Sequence, residues 1–248
     1  MTTTPGFAEH LASIEERSAA LRTAAAAAPL GARVPSCPDW HTADLVGHLG
    51  EVQRFWAAIV AAGPADAPPD DVPGRTPEGD LLTWSAACTT DLLAALRAAG
   101  PDRPCWTWWG APATTGAVAR HQAQEAAVHA WDAQQTAGRA EPLPAGPAVD
   151  AIDEFLSVSL GAAGSWQSPA ARVGLAADEG PSWLIDLTEP GATATRGEVT
   201  AVPPPGAVLA GSASDLLLTL FGRLDPGALR ITGDADLIRS LLAWAPTD

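Results

Sequence analysis

Arg120-His-Gln-Ala-Gln-Glu-Ala-Ala-Val-His-Ala-Trp-Asp132 is the stretch on which the reading of this chain turns. Nothing in it breaks a helix, so Glu125 and His129, four residues apart, stack about one turn from each other on one face. A carboxylate and an imidazole at that spacing can grip one metal ion from a single helix. His48, inside a second helical segment, is the candidate for a third ligand. Two ligands from one helix and one from another, with coordination positions left over, describe a catalytic metal site and not a closed structural one.

On the same helix Val118, His121, Gln122, Glu125, His129 and Asp132 fall within an arc of about 100°. Such a face is either a solvated surface or the inner lining of a bundle. The opposite face is largely alanine, which suits close helix packing. Asp132 is placed to accept the second N–H of His129, and equally to be an exposed acid. His121 flanks the site, His41 reads as a helix-start residue, and His10 as a surface one. Cys37 either faces the metal or packs beside Trp40. Trp106, Trp108 and Trp109 either line a substrate pocket or pack between domains. Arg75 and Arg120 are candidates for holding a carboxylate.

Residues 7–28 carry Leu11, Ile14, Leu21 and Ala25 at helical spacing. Pro35 and Pro38 keep the segment from Arg33 to Trp40 out of any helix. A second helix runs from His41 to about Ala62 with the stripe Leu45, Leu49, Val52, Trp56 and Ile59, and His48 lies about 60° from the centre of that stripe. Ala65–Pro77 is rich in Pro and Asp and reads as a loop. A third helix spans about Glu78–Ala99 and a fourth about Thr114–Ala137, ended by Gly138 and Pro142. Four such helices predict a four-helix bundle over residues 1–143, with a linker at Pro142–Pro147. Residues 144–248 change in texture. Helices are expected at 148–160, 214–221 and 234–244, and strands at 171–176, 182–187, 192–196, 207–209 and 229–231. The fold class is therefore α+β: an all-α first domain and a smaller α+β second one.

Composition removes several functions. The chain has 248 residues, a formal net charge of −15 and no lysine. That balance argues against nucleic acid and anionic membrane as partners, since both call for a basic face. No apolar run reaches the length of a membrane span, and the N-terminus lacks the basic-then-apolar pattern of a signal peptide. Three cysteines without CxxC spacing indicate neither a disulfide framework nor a zinc knuckle. A reducing, cytoplasmic setting is the expectation that follows.

Two motifs carry a family resemblance. Val34-Pro-Ser-Cys-Pro-Asp-Trp40 followed by Asp44-Leu-Val-Gly-His48-Leu resembles the N-terminal motif of the mycothiol-dependent maleylpyruvate isomerase family. Glu125-Ala-Ala-Val-His129-Ala-Trp-Asp132 looks like its second motif. The tail Ala213–Arg223, with Gly233-Asp234 after it, is similar to the family's C-terminal domain. The resemblance implies a DinB-like bundle followed by a sterol-carrier-like domain. It implies His48, Glu125 and His129 as ligands of a divalent metal, usually zinc, and mycothiol as co-substrate. It also offers Arg223 as an arginine that assists catalysis.

Chemically, a cation with three protein ligands has room for a thiolate and lowers the thiol's pKa. The activated sulfur then attacks a small electrophile. The leading expectation is mycothiol S-transfer, in which the adduct persists. The alternative is cis–trans isomerisation, in which the adduct rotates and expels the thiol. Two further readings are a hydrolase using metal-bound water and a non-enzymatic module in which the metal props the fold.

Overall fold

The computed structural model describes residues 4–70 and 79–245. Their contacts divide into two compact units, one covering Pro5–Glu141 and the other beginning at Pro142.

The first unit is built on four long helices, α1 (Phe7–Ala27), α2 (Thr42–Ala62), α3 (Leu81–Ala99) and α4 (Thr115–Thr136). Each start is set by a side chain beside it. The His41 N–H donates to Asp44 Oδ2 at 2.8 Å ahead of α2, and Asp80 accepts from the Thr83 N–H at 3.1 Å ahead of α3. Such contacts satisfy N–H groups that the helix itself leaves open. Gly63 and Gly100 end α2 and α3 with φ of 79° and 71°, a conformation in which a Cβ is strained.

The alanine face of α4 is what lets α1 lie against it. Leu11 and Ile14 pack with Val118, Ala119 and Ala123, and Leu21, Ala24 and Ala25 pack with Ala126, Ala130 and Ala133. Between α2 and α3 the approach is closer still. A Cβ on Gly50 would stand 2.2 Å from the Trp84 ring, so only glycine fits there. Leu45, Leu49, Leu92 and Leu96 are each 0% exposed. Burial of that kind contributes about 1.5–3 kcal/mol per side chain.

Through this apolar interior runs a polar chain. Arg22 Nη1 donates to Thr89 Oγ1 at 3.0 Å, Thr89 Oγ1 to Gln53 Oε1 at 2.8 Å, and Gln53 Nε2 to Ser18 Oγ at 2.8 Å. It links α1, α2 and α3, and each partner satisfies a group that would be costly to bury alone.

Two expectations for this unit need correction. The proline-bracketed segment is not irregular throughout: Arg33–Val34 (β1) and Cys37–His41 (β2) form a small antiparallel hairpin. Prolines forbid a helix but not a strand at a sheet edge, where no partner needs their missing N–H. His10, expected at the surface, is buried at 7% exposure. The loop expected at 65–77 is non-helical up to residue 70, and its remainder, with Glu78 and Arg75, lies outside the described residues.

The second unit carries α5 (Ala145–Ser157), β3 (Ala171–Ala177), β4 (Ser182–Thr188), β5 (Gly191–Arg196), β6 (Ala207–Gly211), α6 (Ala213–Leu220), β7 (Arg230–Gly233) and α7 (Ala235–Trp244). The sheet order is β5-β4-β3-β6-β7, with β3 and β6 parallel and the other pairs antiparallel. Arg172 and Asp186, opposite each other on β3 and β4, pair through two hydrogen bonds of 2.6 and 2.9 Å. The molecule is α+β, a helical N-terminal region followed by a sheet with helices. The expected linker is shorter than Pro142–Pro147, because α5 begins at Ala145. Pro147 sits in its first turn, where a missing N–H has no helical partner to lose.

Candidate metal centre and its surroundings

His48 on α2 and Glu125 and His129 on α4 converge. Their nearest ligand atoms all lie within 4.8 Å of one another, and this is the one such His/Cys/Asp/Glu group among the described residues. His48 Nε2 is 3.0 Å and His129 Nε2 3.2 Å from the same carboxylate oxygen, Glu125 Oε1. Donors around a tetrahedral zinc stand about 3.3–3.5 Å apart, given bond lengths near 2.0–2.1 Å. The two separations involving Glu125 are close to that span, and the remaining pair lies within 4.8 Å.

Burial grades across the group. The His129 side chain is 3% exposed, Glu125 11% and His48 29%. The open side is thus at His48, as its place on the edge of the α2 stripe suggests. The alternative of a solvated polar face on α4 is excluded, since His121, Gln122, His129 and Asp132 are all buried.

Asp132 is fully buried and lies against His129 and Ser36. His129 Nδ1 lies 2.9 Å from its Oδ2, and the Ser36 hydroxyl donates to its Oδ1 at 2.6 Å. With Nδ1 engaged there, Nε2 is the nitrogen turned to Glu125, which is the orientation a ligand histidine needs. Trp40 covers the two imidazoles, with ring centroids 4.7 Å from His48 and 5.9 Å from His129. Ser36 and Trp40 were not singled out as site residues from the sequence. Their signal was their place in the segment just before α2, which the hairpin folds back onto α4.

Electrostatics follows from this packing. Burial pushes the Glu125 carboxyl up, but His129 and His48 outweigh it and hold the group well below the usual carboxylate range. Burial alone would lower the His129 imidazole, yet Glu125 and Asp132 raise it to about 9. The metal-free cluster is accordingly a carboxylate sharing a proton with an imidazole, and a cation would displace that proton.

The other candidates separate clearly. Cys37 packs with Trp40 against the core that contains Leu21, Leu45 and Leu49. Burial pushes the Cys88 thiol up to about 11, and Cys105 is raised for the same reason, so neither is a thiolate at neutral pH. His41 stands at the α2 start with Nδ1 3.2 Å from Asp44 Oδ2. Trp106 and Trp109 pack within the first unit, against a core that includes Trp56 and Val118. Arg223 follows α6 in the second unit. It is 9% exposed, and its Nη1 donates to the Phe221 carbonyl at 2.8 Å.

Residues 11–134 match the model of the mycothiol maleylpyruvate isomerase N-terminal domain, and residues 146–239 match the C-terminal domain model of the same family. The chain belongs to the mycothiol maleylpyruvate isomerase family. Both matches fall on the expected motifs, the first spanning His48, Glu125 and His129 and the second Arg223.

A crystal structure of a histidine-to-alanine mutant of mycothiol-dependent maleylpyruvate isomerase superposes with a TM-score of 0.68. The identity is 14%, over 95% of this chain and 98% of that one. This family member therefore shares that enzyme's fold. The sec-alkylsulfatase Pisa1 from Pseudomonas sp. aligns at a TM-score of 0.33 and 12% identity, over 67% of this chain and 28% of that one, too low a score to carry an argument. No curated protein matches in sequence. Among the described residues no helix is long and apolar enough to cross a membrane.

Proposed function

We propose that this chain is a mycothiol-dependent enzyme that adds a thiolate reversibly to an unsaturated carbonyl compound. Cis–trans isomerisation is the outcome the family match favours. The observation that carries the reading is the convergence of His48, Glu125 and His129 on one point from two helices, inside the matched family domain.

The donor set fits a divalent cation, two imidazoles and a carboxylate being a combination that zinc accepts in catalytic sites. When bound, such a cation would lower the pKa of a thiol so that the thiolate is present at neutral pH. The remaining work falls to the chain. Asp132 holds His129 in the required tautomer, and Ser36 holds Asp132. Trp40 covers the imidazoles, which limits water at the reacting sulfur.

The sulfur forms a bond to the β-carbon, and the double-bond electrons move onto the carbonyl oxygen. Rotation about the former double bond follows. The electrons return, the C–S bond breaks, and the thiol leaves unconsumed with the trans isomer. Arg223 is retained as a residue proposed to assist catalysis, on its position in the C-terminal motif. The three free cysteines are consistent with a reducing compartment, where such a thiol stays reduced.

S-transfer differs only in that the adduct persists. The deciding experiment loads the protein with zinc and supplies mycothiol with two cis-configured unsaturated carbonyl compounds in parallel, the dianion maleylpyruvate and a neutral cis-enone. Isomerisation gives trans product with thiol in catalytic amount. Stoichiometric thiol loss would establish transfer, and turnover without thiol would overturn both in favour of a hydrolase.

A further inference from the structure

Next to the metal-ligand cluster lies a second group of side chains that the thiol chemistry does not use. His121 and Gln122 precede Glu125 by four and three residues. They sit one turn, about 6 Å, toward the start of α4 on the ligand-bearing face. The His121 ring is 5.0 Å from Trp109 and 5.9 Å from both Trp56 and Trp108. Phe55, seven residues after His48 and hence on its face of α2, stands 6.2 Å from Trp106. Both helices that carry the three candidate ligands thus carry aromatic rings in the same direction away from it.

The loop holding these indoles is braced. Cys105 N–H donates to the Ala113 carbonyl at 3.1 Å and Trp109 Nε1 to the Pro112 carbonyl at 3.1 Å. Trp108 is 43% exposed, the exception in this aromatic group. Gln122 is 0% exposed, yet neither its amide nitrogen nor its amide oxygen has a hydrogen-bond partner. Leaving a buried amide unsatisfied is costly, and an apolar residue of similar shape would avoid that. A local rule broken beside a reaction centre is a mark of binding.

We propose that this region seats the electrophile, and that the electrophile is a neutral, planar, conjugated carbonyl compound with an apolar body. Its carbonyl oxygen accepts from the Gln122 amide, its body lies against Trp108 and His121, and its β-carbon points down the helix toward the ligand cluster. A small dianion suits the place poorly. The walls are aromatic, and a chain of net charge −15 opposes an anion's approach. The proposal rests on the thiol-addition reading for the reaction, but not for the binding.

The test is calorimetric titration of the full chain, metal-free and zinc-loaded, with trans-4-phenyl-3-buten-2-one and with maleate, no thiol being present. The enone is expected to bind at least tenfold more tightly than maleate. Trp108→Ala should weaken the enone about three- to tenfold, the range that one ring contact supplies. Gln122→Leu should weaken it about tenfold while the melting temperature holds or rises, because the unsatisfied amide is gone. Maleate binding as tightly as the enone would overturn the proposal. So would unchanged enone affinity in both variants, or a lowered melting temperature in Gln122→Leu. Zinc content of the same samples is measured separately. Loss of zinc with enone binding intact would overturn the metal-thiol reading and leave this one standing.

Discussion

His129 Nδ1 lies 2.9 Å from Asp132 Oδ2, and that contact decides which ring nitrogen turns toward Glu125. A carboxylate behind a histidine raises the basicity of the nitrogen it leaves free and fixes the ring's rotation. Asp132→Asn should therefore lower zinc affinity about 10–100-fold while the helices stay folded. Competitive zinc titration with circular dichroism on the same sample reads both. Ser36→Ala removes only the prop behind Asp132, so its loss should be the smaller. Unchanged affinity in Asp132→Asn would mean the imidazole is oriented by packing alone.

The cluster itself gives a second prediction. His48 is half-buried at the open side, so His48→Ala should abolish stoichiometric zinc with little change in melting temperature of the metal-free protein. Glu125→Gln keeps the shape and removes the charge that both imidazoles face, and it should also lose zinc. Metal analysis after gel filtration checks each. A variant that retains one zinc per chain without Glu125 would remove that carboxylate from the ligand set.

Proton linkage supplies a third. The His129 imidazole, ordinarily near 6.5, is raised to about 9 in the folded metal-free protein. A raised pKa means the folded state holds a proton that the unfolded state releases, so this contribution to stability is full below pH 6.5 and is lost as pH rises through about 9. Glu125, held well below its ordinary value, contributes in the opposite sense, and its share is lost under acid conditions. Thermal melts of metal-free protein should therefore fall between pH 7 and pH 9.5, in a span set by the His129 shift. Zinc must displace the His129 proton, so zinc affinity should rise by up to about tenfold per pH unit over the same span. Calorimetry in buffers of different ionisation enthalpy would register the released proton.

A fourth prediction concerns the bundle and not the site. Thr89→Val removes the hydroxyl that accepts from Arg22 and donates to Gln53. The carbonyl of Gln53, 0% exposed, is then left without its donor. The expected loss is about 1–3 kcal/mol in urea unfolding, with zinc binding unaffected. A change below a few tenths of a kcal/mol would mean that water enters the interior at that point.

The elements of the fold were largely legible because each leaves a local mark. The apolar stripe of Leu45, Leu49 and Ile59 has helical period, and Asp44 marks the start of its helix. Strand runs such as Ala171–Ala177 stand between turn residues. Glu125 and His129 were readable as a pair because four residues of one helix fix their spacing. That His48 completes the group was legible in the periodicity only as a position on the edge of a buried arc, and otherwise through the family resemblance of its motif.

What the sequence determined by itself was therefore periodicity, capping and the four-residue spacing of Glu125 and His129 on α4, all of which depend on neighbours within a turn or two. The three-dimensional fold alone decided what residues far apart in the chain do to each other. It brought Ser36 to Asp132, Trp40 over both imidazoles, the Trp108 loop beside His121, and Thr89 into a chain with Gln53 and Ser18. It also buried His10, which local polarity had placed in water. The physical reason is that hydrogen bonds and ring contacts act over a few ångströms of space. Sequence distance is blind to that measure until helices and hairpin have packed.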